Sequence, residues 1–307
     1  MPTIIRQPAT PYVGRFAPSP SGPLHMGSLV CALASYLDAR ANNGQWLVRI
    51  EDIDPPREQA GAHSLILESL AKHGLESDQR VLFQSQRHDA YSATLNTLAQ
   101  RQLSYRCNCT RARLKQLESL YDQHCLSLAP PPNSLSAIRL NQQAALLSLD
   151  KPTLDPLIDG VLGPLQLPLD PHDDFVIHRK DGLFAYQLAV VVDDIEQGIT
   201  HVVRGADLLS TTNKQRLLFF TLGSSPPHYS HIPLVTDSRG HKLSKQNHAP
   251  AIQSTEATAN LTFACELLGL CNNKERTTLQ HKSVTTILQW ATGKWDIRAL
   301  PTHPIIG

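Results

Sequence analysis

Residues 12–50 read YVGRFAPSPSGPLHMGSLVCALASYLDARANNGQWLVRI, and this stretch decides the fold class. Its two ends, YVGRF (12–16) and WLVRI (46–50), are short runs rich in aromatic and branched residues, the composition of β-strands. Between them Leu29, Leu33, Tyr36 and Leu37 fall at i, i+4, i+7 and i+8, which predicts an amphipathic helix, with Gly44 as a stop signal. Strand, helix and strand in so short a span make a βαβ unit, so the two strands run parallel. The first connection, RFAPSPSGPLHMGS (15–28), is a Pro/Gly/Ser loop that delivers the chain to a helix N-terminus. Such a terminus presents unpaired N–H groups and a partial positive charge, which suits phosphate. Gly27 lets a flat base or sugar approach the backbone, and His25 can donate to a phosphate oxygen as charge develops.

Outward from this unit the helical pattern continues over 60–75, with Ala62, Ile66 and Leu70 on one face and Gly74 near the stop, and again over 88–102. From 106 to 133 the chain becomes cysteine-bearing and breaks at APPPN (129–133). The prolines and glycines of 150–171 predict short strands and turns. Order returns at DFVIHR (174–179), LAVVV (188–192) and ITHVVR (199–204), which read as strands or a buried helix of a second half-sheet. The tail is helical, with Leu261, Ala264, Cys265 and Leu268, then Val284, Ile287, Leu288 and Ala291, at helical spacing. The plan is α/β: half a catalytic domain over 1–105, an insertion and connecting segment over 106–173, the second half over 174–235, and a loop with a small helical domain over 236–307.

The chain has 307 residues, 41% of them hydrophobic and 18% charged, a globular composition with material for a large core and no sign of intrinsic disorder. At about 150 residues per domain this length predicts two domains, or one carrying an insertion. Its 28 basic and 27 acidic residues leave a net charge of +1, so a nucleic-acid surface would have to be a local patch. The opening MPTIIRQPATPYVG has no apolar h-region and no run is long enough to span a bilayer, which predicts a cytoplasmic protein without a membrane partner. Of the 6 cysteines, Cys31, Cys265 and Cys271 sit in apolar, helix-like text and read as small buried hydrophobes. Cys107, Cys109 and Cys125 cluster beside Tyr121 and His124, an odd set better suited to a metal than to disulfides. Zinc favours four Cys or His ligands, so chemistry alone points to the three thiolates with His124.

Far downstream lies HKLSKQ (241–246), where Lys242 and Lys245 follow Gly240 in a loop that suits a mobile clamp on a polyphosphate. The His25-Met26-Gly27-Ser28 stretch resembles the HIGH signature, and Lys242-Leu243-Ser244-Lys245-Gln246 resembles the KMSKS signature, of class I aminoacyl-tRNA synthetases. RFAPSPSG followed by LHMGS is similar to the glutamyl branch, and VRIEDIDPPR (48–57), QSQRHDAY (84–91), AYQLAVVVDDIEQGITHVVRGADLL (185–209) and KLSKQNHAP (242–250) extend that likeness over most of 12–250. Within the branch, the short chain, the Cys107-x-Cys109…Tyr121-x3-Cys125 cluster and the KLSKQN ending resemble the glutamyl-Q tRNA(Asp) synthetase family. The resemblance implies a Rossmann-type parallel-sheet catalytic domain with a zinc-bearing insertion and a small C-terminal helical domain. It also implies a ligase that activates L-glutamate with ATP and joins it to queuosine in the anticodon loop of tRNA(Asp).

A glutamate pocket needs cations for two carboxylates and an acceptor for one ammonium. Arg15 and Arg204 can hold carboxylates bidentately, Glu51 follows a strand end and can accept from the ammonium, and Tyr186 supplies a hydroxyl. The family pattern places glutamate contacts at Arg15, Phe16, Ala17, Pro18, Ser19, Glu51, Tyr186 and Arg204, and all of these match. ATP contacts are expected at His25, Gly27, Ser28, Lys242 and Lys245, with His25, Gly27 and Lys245 stabilising charge on the phosphates and Mg²⁺ accompanying the nucleotide. Asp52 and Asp54, beside Pro55 and Pro56, read as loop and cap residues. Related enzymes use a tyrosine at the fourth zinc position, so the implied ligands of one structural zinc are Cys107, Cys109, Tyr121 and Cys125, with His124 in reserve. The short stretch after Lys245 predicts a chain that cannot span both ends of a tRNA, which brings the anticodon loop itself, with the queuosine cis-diol, to the active site. The competing classes are a glutamyl-tRNA synthetase charging a 3′ end, a small-molecule nucleotidyltransferase and a non-catalytic tRNA-binding paralogue.

Overall fold

The computed structural model describes residues 11–117, 121–131, 133–151, 153–237, 243 and 250–306. Its elements in chain order are β1 (Val13–Phe16), α1 (Met26–Ala41), β2 (Gln45–Ile50), α2 (Ala62–Lys72), β3 (Leu82–Phe83) and α3 (His88–Gln100). Next come β4 (Ser104–Cys107), α4 (Arg111–Lys115), α5 (His124–Ser127), β5 (Ala137–Leu140), α6 (Gln142–Ser148), β6 (Leu157–Asp159), β7 (Gly163–Leu165) and β8 (Val176–His178). The remainder are α7 (Tyr186–Glu196), β9 (His201–Gly205), α8 (Thr212–Thr221), β10 (His228–Ile232), β11 (Val235–Thr236), α9 (Ala257–Leu267), α10 (Asn273–Leu279), α11 (Val284–Lys294) and β12 (Ile305–Ile306).

Strands β1 and β2 pair in parallel with Val13 opposite Gln45, as the βαβ reading requires, and β3 continues the sheet beyond β2. On the other side β9 lies against β1, where the Thr200 N–H donates to the Val13 carbonyl at 2.9 Å, and β10 pairs in parallel with β9. The chain therefore leaves β1 in one direction for β2 and returns on its other flank as β9. Such a reversal opens a crevice outside the carboxyl ends of the strands, where α/β sheets bind ligands.

Helix α1 is buried more completely than an amphipathic pattern predicts, with Leu29, Val30, Ala32, Leu33, Ala34, Leu37 and Ala39 all sequestered. The reason is that α9 and α11 cover the side turned away from the sheet. Trp295, just beyond α11, donates to Asp38 Oδ1 at 2.8 Å, and the Tyr12 hydroxyl donates to Asp38 Oδ2 at 2.5 Å. The C-terminal helices are thus fastened to the same helix whose N-terminus opens on the crevice. A Cβ on Gly44 would lie 2.6 Å from the Tyr12 carbonyl oxygen, so the turn between α1 and β2 needs glycine.

The segment DFVIHR (174–179) does not join the parallel half-sheet. Its strand β8 pairs antiparallel with β5, which pairs antiparallel with β4, closing a separate three-stranded sheet. Alternation of apolar residues identifies a strand but does not say which sheet receives it. LAVVV is the buried helix, in α7, and ITHVVR supplies β9. The β6–β7 hairpin of 150–171 docks on β10. No helix among the described residues is long and apolar enough to cross a membrane.

Candidate active site and cysteine cluster

One cavity of about 480 Å³ opens at the carboxyl ends of β1, β2 and β9. Arg15, Phe16, Ala17, Pro18, Ser19, Glu51, Tyr186 and Arg204 all line it, together with His25, Gly27 and Ser28 from the start of α1. The backbone explains the convergence: Arg15 stands near the end of β1, Arg204 near the end of β9, and Glu51 follows β2 directly. The Glu51 N–H donates to the Pro18 carbonyl at 3.0 Å, which ties the loop after β1 to the end of β2.

Each charged group is held from behind. Arg15 Nε and Nη2 lie 3.3 and 3.4 Å from the two carboxylate oxygens of Asp194 on α7. Arg49 Nη1 donates to the same carboxylate at 2.8 Å, and Arg49 Nη2 donates to Glu51 Oε1 at 3.4 Å. Burial opposes the charge on Asp194, but Arg15 and Arg49 outweigh it and hold the carboxyl below its ordinary pKa. Glu51 behaves differently: burial raises its pKa against the pull of Arg49 and Arg15.

His25 caps α1 with its side chain, Nδ1 accepting from the Ser28 N–H at 3.3 Å and Nε2 lying 2.9 Å from Ser28 Oγ. The first turn of α1 is thereby ordered against the cavity, and Gly27 keeps the approach open. A Cβ there would sit 3.2 Å from the Leu243 carbonyl oxygen, so the start of α1 and Leu243 meet in space. Leu243 itself lines the cavity, while Lys242 and Lys245 lie outside the described residues.

Several lining or supporting residues escaped the sequence reading. Asp194 and Asp193 form an acidic pair closing the apolar run of α7, a pattern that signals buried charge with partners. Arg57 and Asp207, which lie in the 48–57 and 185–209 stretches but were given no role there, also line the cavity. Cys31, expected as a buried hydrophobe, is only half-buried and faces the cavity; Cys265 and Cys271 are buried. Asp52 accepts from the Ser85 N–H and hydroxyl at 2.9 and 2.7 Å, and Asp54 pairs with Arg57 and Arg179, so both serve the loop.

At the other end of the insertion, Cys107 at the end of β4, Cys109 and Cys125 on α5 gather their sulfurs within 4.8 Å of one another. The Tyr121 hydroxyl lies 3.4 Å from Cys107 Sγ and 3.7 Å from Cys109 Sγ. Four ligands around zinc at about 2.3 Å place sulfurs roughly 3.8 Å apart, and the Cys109–Cys125 separation is 3.5 Å. The donor set therefore fits a tetrahedral metal. Burial works against a thiolate at Cys107, but hydrogen bonds from Tyr121 and Arg139 outweigh it and bring its pKa to about 7. His124 is exposed and stands outside the gathered set.

The family model for class I tRNA synthetases (E and Q), catalytic domain, matches residues 12–297. A protein named glutamyl-Q tRNA(Asp) synthetase from Serratia proteamaculans is 49% identical over 296 residues, covering 96% of this chain and 94% of its own. A protein of the same name from Escherichia coli (strain K12) is 48% identical over 297 residues, covering 97% of this chain and 93% of its own. Among solved structures, a glutamate tRNA ligase from Elizabethkingia meningosepticum in complex with its amino acid superposes with a TM-score of 0.78. It is 24% identical, covers 97% of this chain and 67% of its own, and shows the fold.

Proposed function

From the premise that the chain belongs to the glutamyl and glutaminyl family of class I tRNA synthetase catalytic domains, a family of ligases, we propose that it activates L-glutamate with ATP and transfers it to the cyclopentenediol of queuosine in tRNA(Asp). The observation that carries this reading is the charge pattern of one cavity: two buried arginines, Arg15 and Arg204, face a buried carboxylate, Glu51, beside the N-terminus of α1. That pattern complements a small molecule with two carboxylates and one ammonium, next to a phosphate. The near-complete coverage of relatives named glutamyl-Q tRNA(Asp) synthetase supports queuosine as the acceptor.

In this mechanism the glutamate α-carboxylate attacks the α-phosphorus of ATP, its oxygen bonds to phosphorus, and the bond to pyrophosphate breaks. A hydroxyl of the acceptor then attacks the acyl carbon, loses its proton and releases AMP. No protein nucleophile is needed; positioning and charge stabilisation supply the rate. Arg15 and Arg204 orient the carboxylates and Glu51 accepts from the ammonium. His25 and the helix start at Gly27 and Ser28 receive the phosphates, which enter as the magnesium complex of ATP. Lys242 and Lys245 are assigned to the departing pyrophosphate from their sequence alone. The cysteine cluster is assigned to one structural zinc, which Cys107, Cys109, Cys125 and Tyr121 would hold and which would stiffen the insertion away from the reacting atoms.

The test is glutamate-dependent ATP–pyrophosphate exchange without RNA, followed by transfer of labelled glutamate to tRNA(Asp) lacking its terminal CCA, with and without queuosine. Exchange together with a base-labile product on the queuosine-bearing RNA alone is expected. Labelling that requires an intact 3′ end would make the protein a glutamyl-tRNA synthetase instead.

A further inference from the structure

Arg204 presents a feature that the cavity lining alone does not account for. Its Nε donates to His231 Nε2 at 3.1 Å, Nη1 donates to Gln215 Oε1 at 2.7 Å, and Nη2 donates to Thr212 Oγ1 at 2.9 Å. A guanidinium has five N–H donors, so one hydrogen on each Nη is left to make a carboxylate-matching fork. Which fork is left depends on His231.

We propose that Asp159 and His231 are a positioning pair that sets the ligand-binding fork of Arg204 by fixing which ring nitrogen of His231 carries the hydrogen. The inference rests on the reading of Arg204 as a glutamate-binding residue. Both side chains of the pair are fully buried, and Asp159 Oδ2 lies 2.6 Å from His231 Nδ1. Asp159 Oδ1 accepts from the N–H groups of Val161, Leu162 and His231 at 3.0, 3.0 and 3.1 Å. A carboxylate so engaged is ionised and can only accept, so the hydrogen sits on Nδ1. In a neutral imidazole Nε2 is then bare, and only a bare Nε2 can receive the Arg204 Nε–H. Burial disfavours the imidazolium, as does the adjacent guanidinium, so the ring stays neutral.

The pair reaches the site from outside the parallel sheet. Asp159 ends β6, in the hairpin of the insertion, and Gly160 brings that hairpin onto β10 through an N–H bond of 2.9 Å to the Tyr229 carbonyl. A Cβ on Gly160 would overlap the Ser230 hydroxyl, so a larger residue there would have to turn that side chain aside. The insertion thereby supplies the carboxylate beneath His231.

The decisive variant is Asp159→Asn. Its Oδ1 can keep the three backbone bonds, but its amide presents N–H to His231 Nδ1. The imidazole must then carry its hydrogen on Nε2, donor against donor with Arg204 Nε, the wrong-tautomer effect. In glutamate-dependent ATP–pyrophosphate exchange, the KM for glutamate should rise about tenfold or more while the KM for ATP and the turnover number stay within about threefold. His231→Phe removes the acceptor and should follow Asp159→Asn. His231→Gln can return an oxygen toward the Nε2 position and should stay within about threefold of the parent. A merely structural role gives no such split between KM and turnover, and no rescue by Gln. Asp159→Asn that is folded by near-ultraviolet circular dichroism yet keeps the parental KM for glutamate would overturn the proposal. If His231→Phe fails to fold, the Asn variant alone decides. Absence of glutamate-dependent exchange in the parent would instead defeat the reading of the cavity on which the proposal stands.

Discussion

Replacing Asp194 by Asn should be among the most damaging single-atom changes in the molecule. Asp194 is 2% exposed and is the shared counter-ion of Arg15, 4% exposed, and Arg49, 0% exposed. After the substitution the two arginines retain Glu51, 3.4 Å from Arg49, and the more distant Asp193, 4.0 Å from Arg49 and already paired with Arg87. Removing one partner of a buried charge pair costs about 3–5 kcal/mol, because the other charge stays out of water without compensation. Against a total stability of about 5–15 kcal/mol, that is about a fifth or more of the reserve for a typical domain. Urea unfolding should show the midpoint falling with little change in slope. The pH dependence has a definite sign. Since the folded-state pKa of Asp194 is depressed, its contribution is fully present above the unfolded value of about 4 and is lost as pH falls through the lower folded value. The Asn variant should therefore lose stability at neutral pH and show a flatter acid limb. Adding Arg49→Met, which removes the second charge, should recover part of the loss, because replacing both partners costs less than stranding one. A drop below about 1 kcal/mol for Asp194→Asn, or strict additivity with Arg49→Met, would refute the argument that these groups act as one buried ionic unit.

Arg15→Ala and Arg204→Ala should each weaken glutamate use by about 2–5 kcal/mol, roughly thirty- to several-thousand-fold, with ATP affinity much less affected; near-normal exchange kinetics in both would remove them from the pocket. Because burial raises the Glu51 pKa, the KM for glutamate should climb as pH falls toward that raised value, and glutamate binding should release protons there, which calorimetry in buffers of different ionisation enthalpy will detect. Cys107→Ser should lose a metal that elemental analysis finds at about one zinc per chain in the parent, and should loosen the β4–α5 region in hydrogen exchange; a metal-free parent that is folded and active defeats the zinc assignment. Lys245→Ala should lower the exchange turnover number more than it changes the KM for glutamate, since its charge is needed as pyrophosphate departs; an unchanged turnover number takes it out of the mechanism.

Local pattern in the sequence determined the βαβ unit, the first helix, the helical tail and the family, because each is written in short strings whose residues are near neighbours, even where, as for the family, several such strings lie far apart. The cavity residues expected to hold glutamate were nameable individually for the same reason, through signatures that travel as short strings. Tertiary structure decided what those strings could not hold. It put the strand of DFVIHR into the antiparallel sheet, because period-two alternation fixes a strand's faces but not its partner. It also brought Asp194 behind Arg15, 179 residues away in the chain, and Asp159 behind His231, 72 residues away. A buried cation is tolerated only where another element delivers its counter-charge or acceptor, and such a pairing is a property of packing. Neither Asp194 nor His231 carries a mark in its own neighbourhood that says which arginine it holds. The cysteine cluster lies between these cases: three thiols, Tyr121 and His124 are visible in sequence at short spacing and the family resemblance already favours Tyr121, and the structure adds that its hydroxyl, not His124, stands beside the sulfurs. The tyrosine hydroxyl lies 3.4 and 3.7 Å from the Cys107 and Cys109 sulfurs, and His124 is exposed.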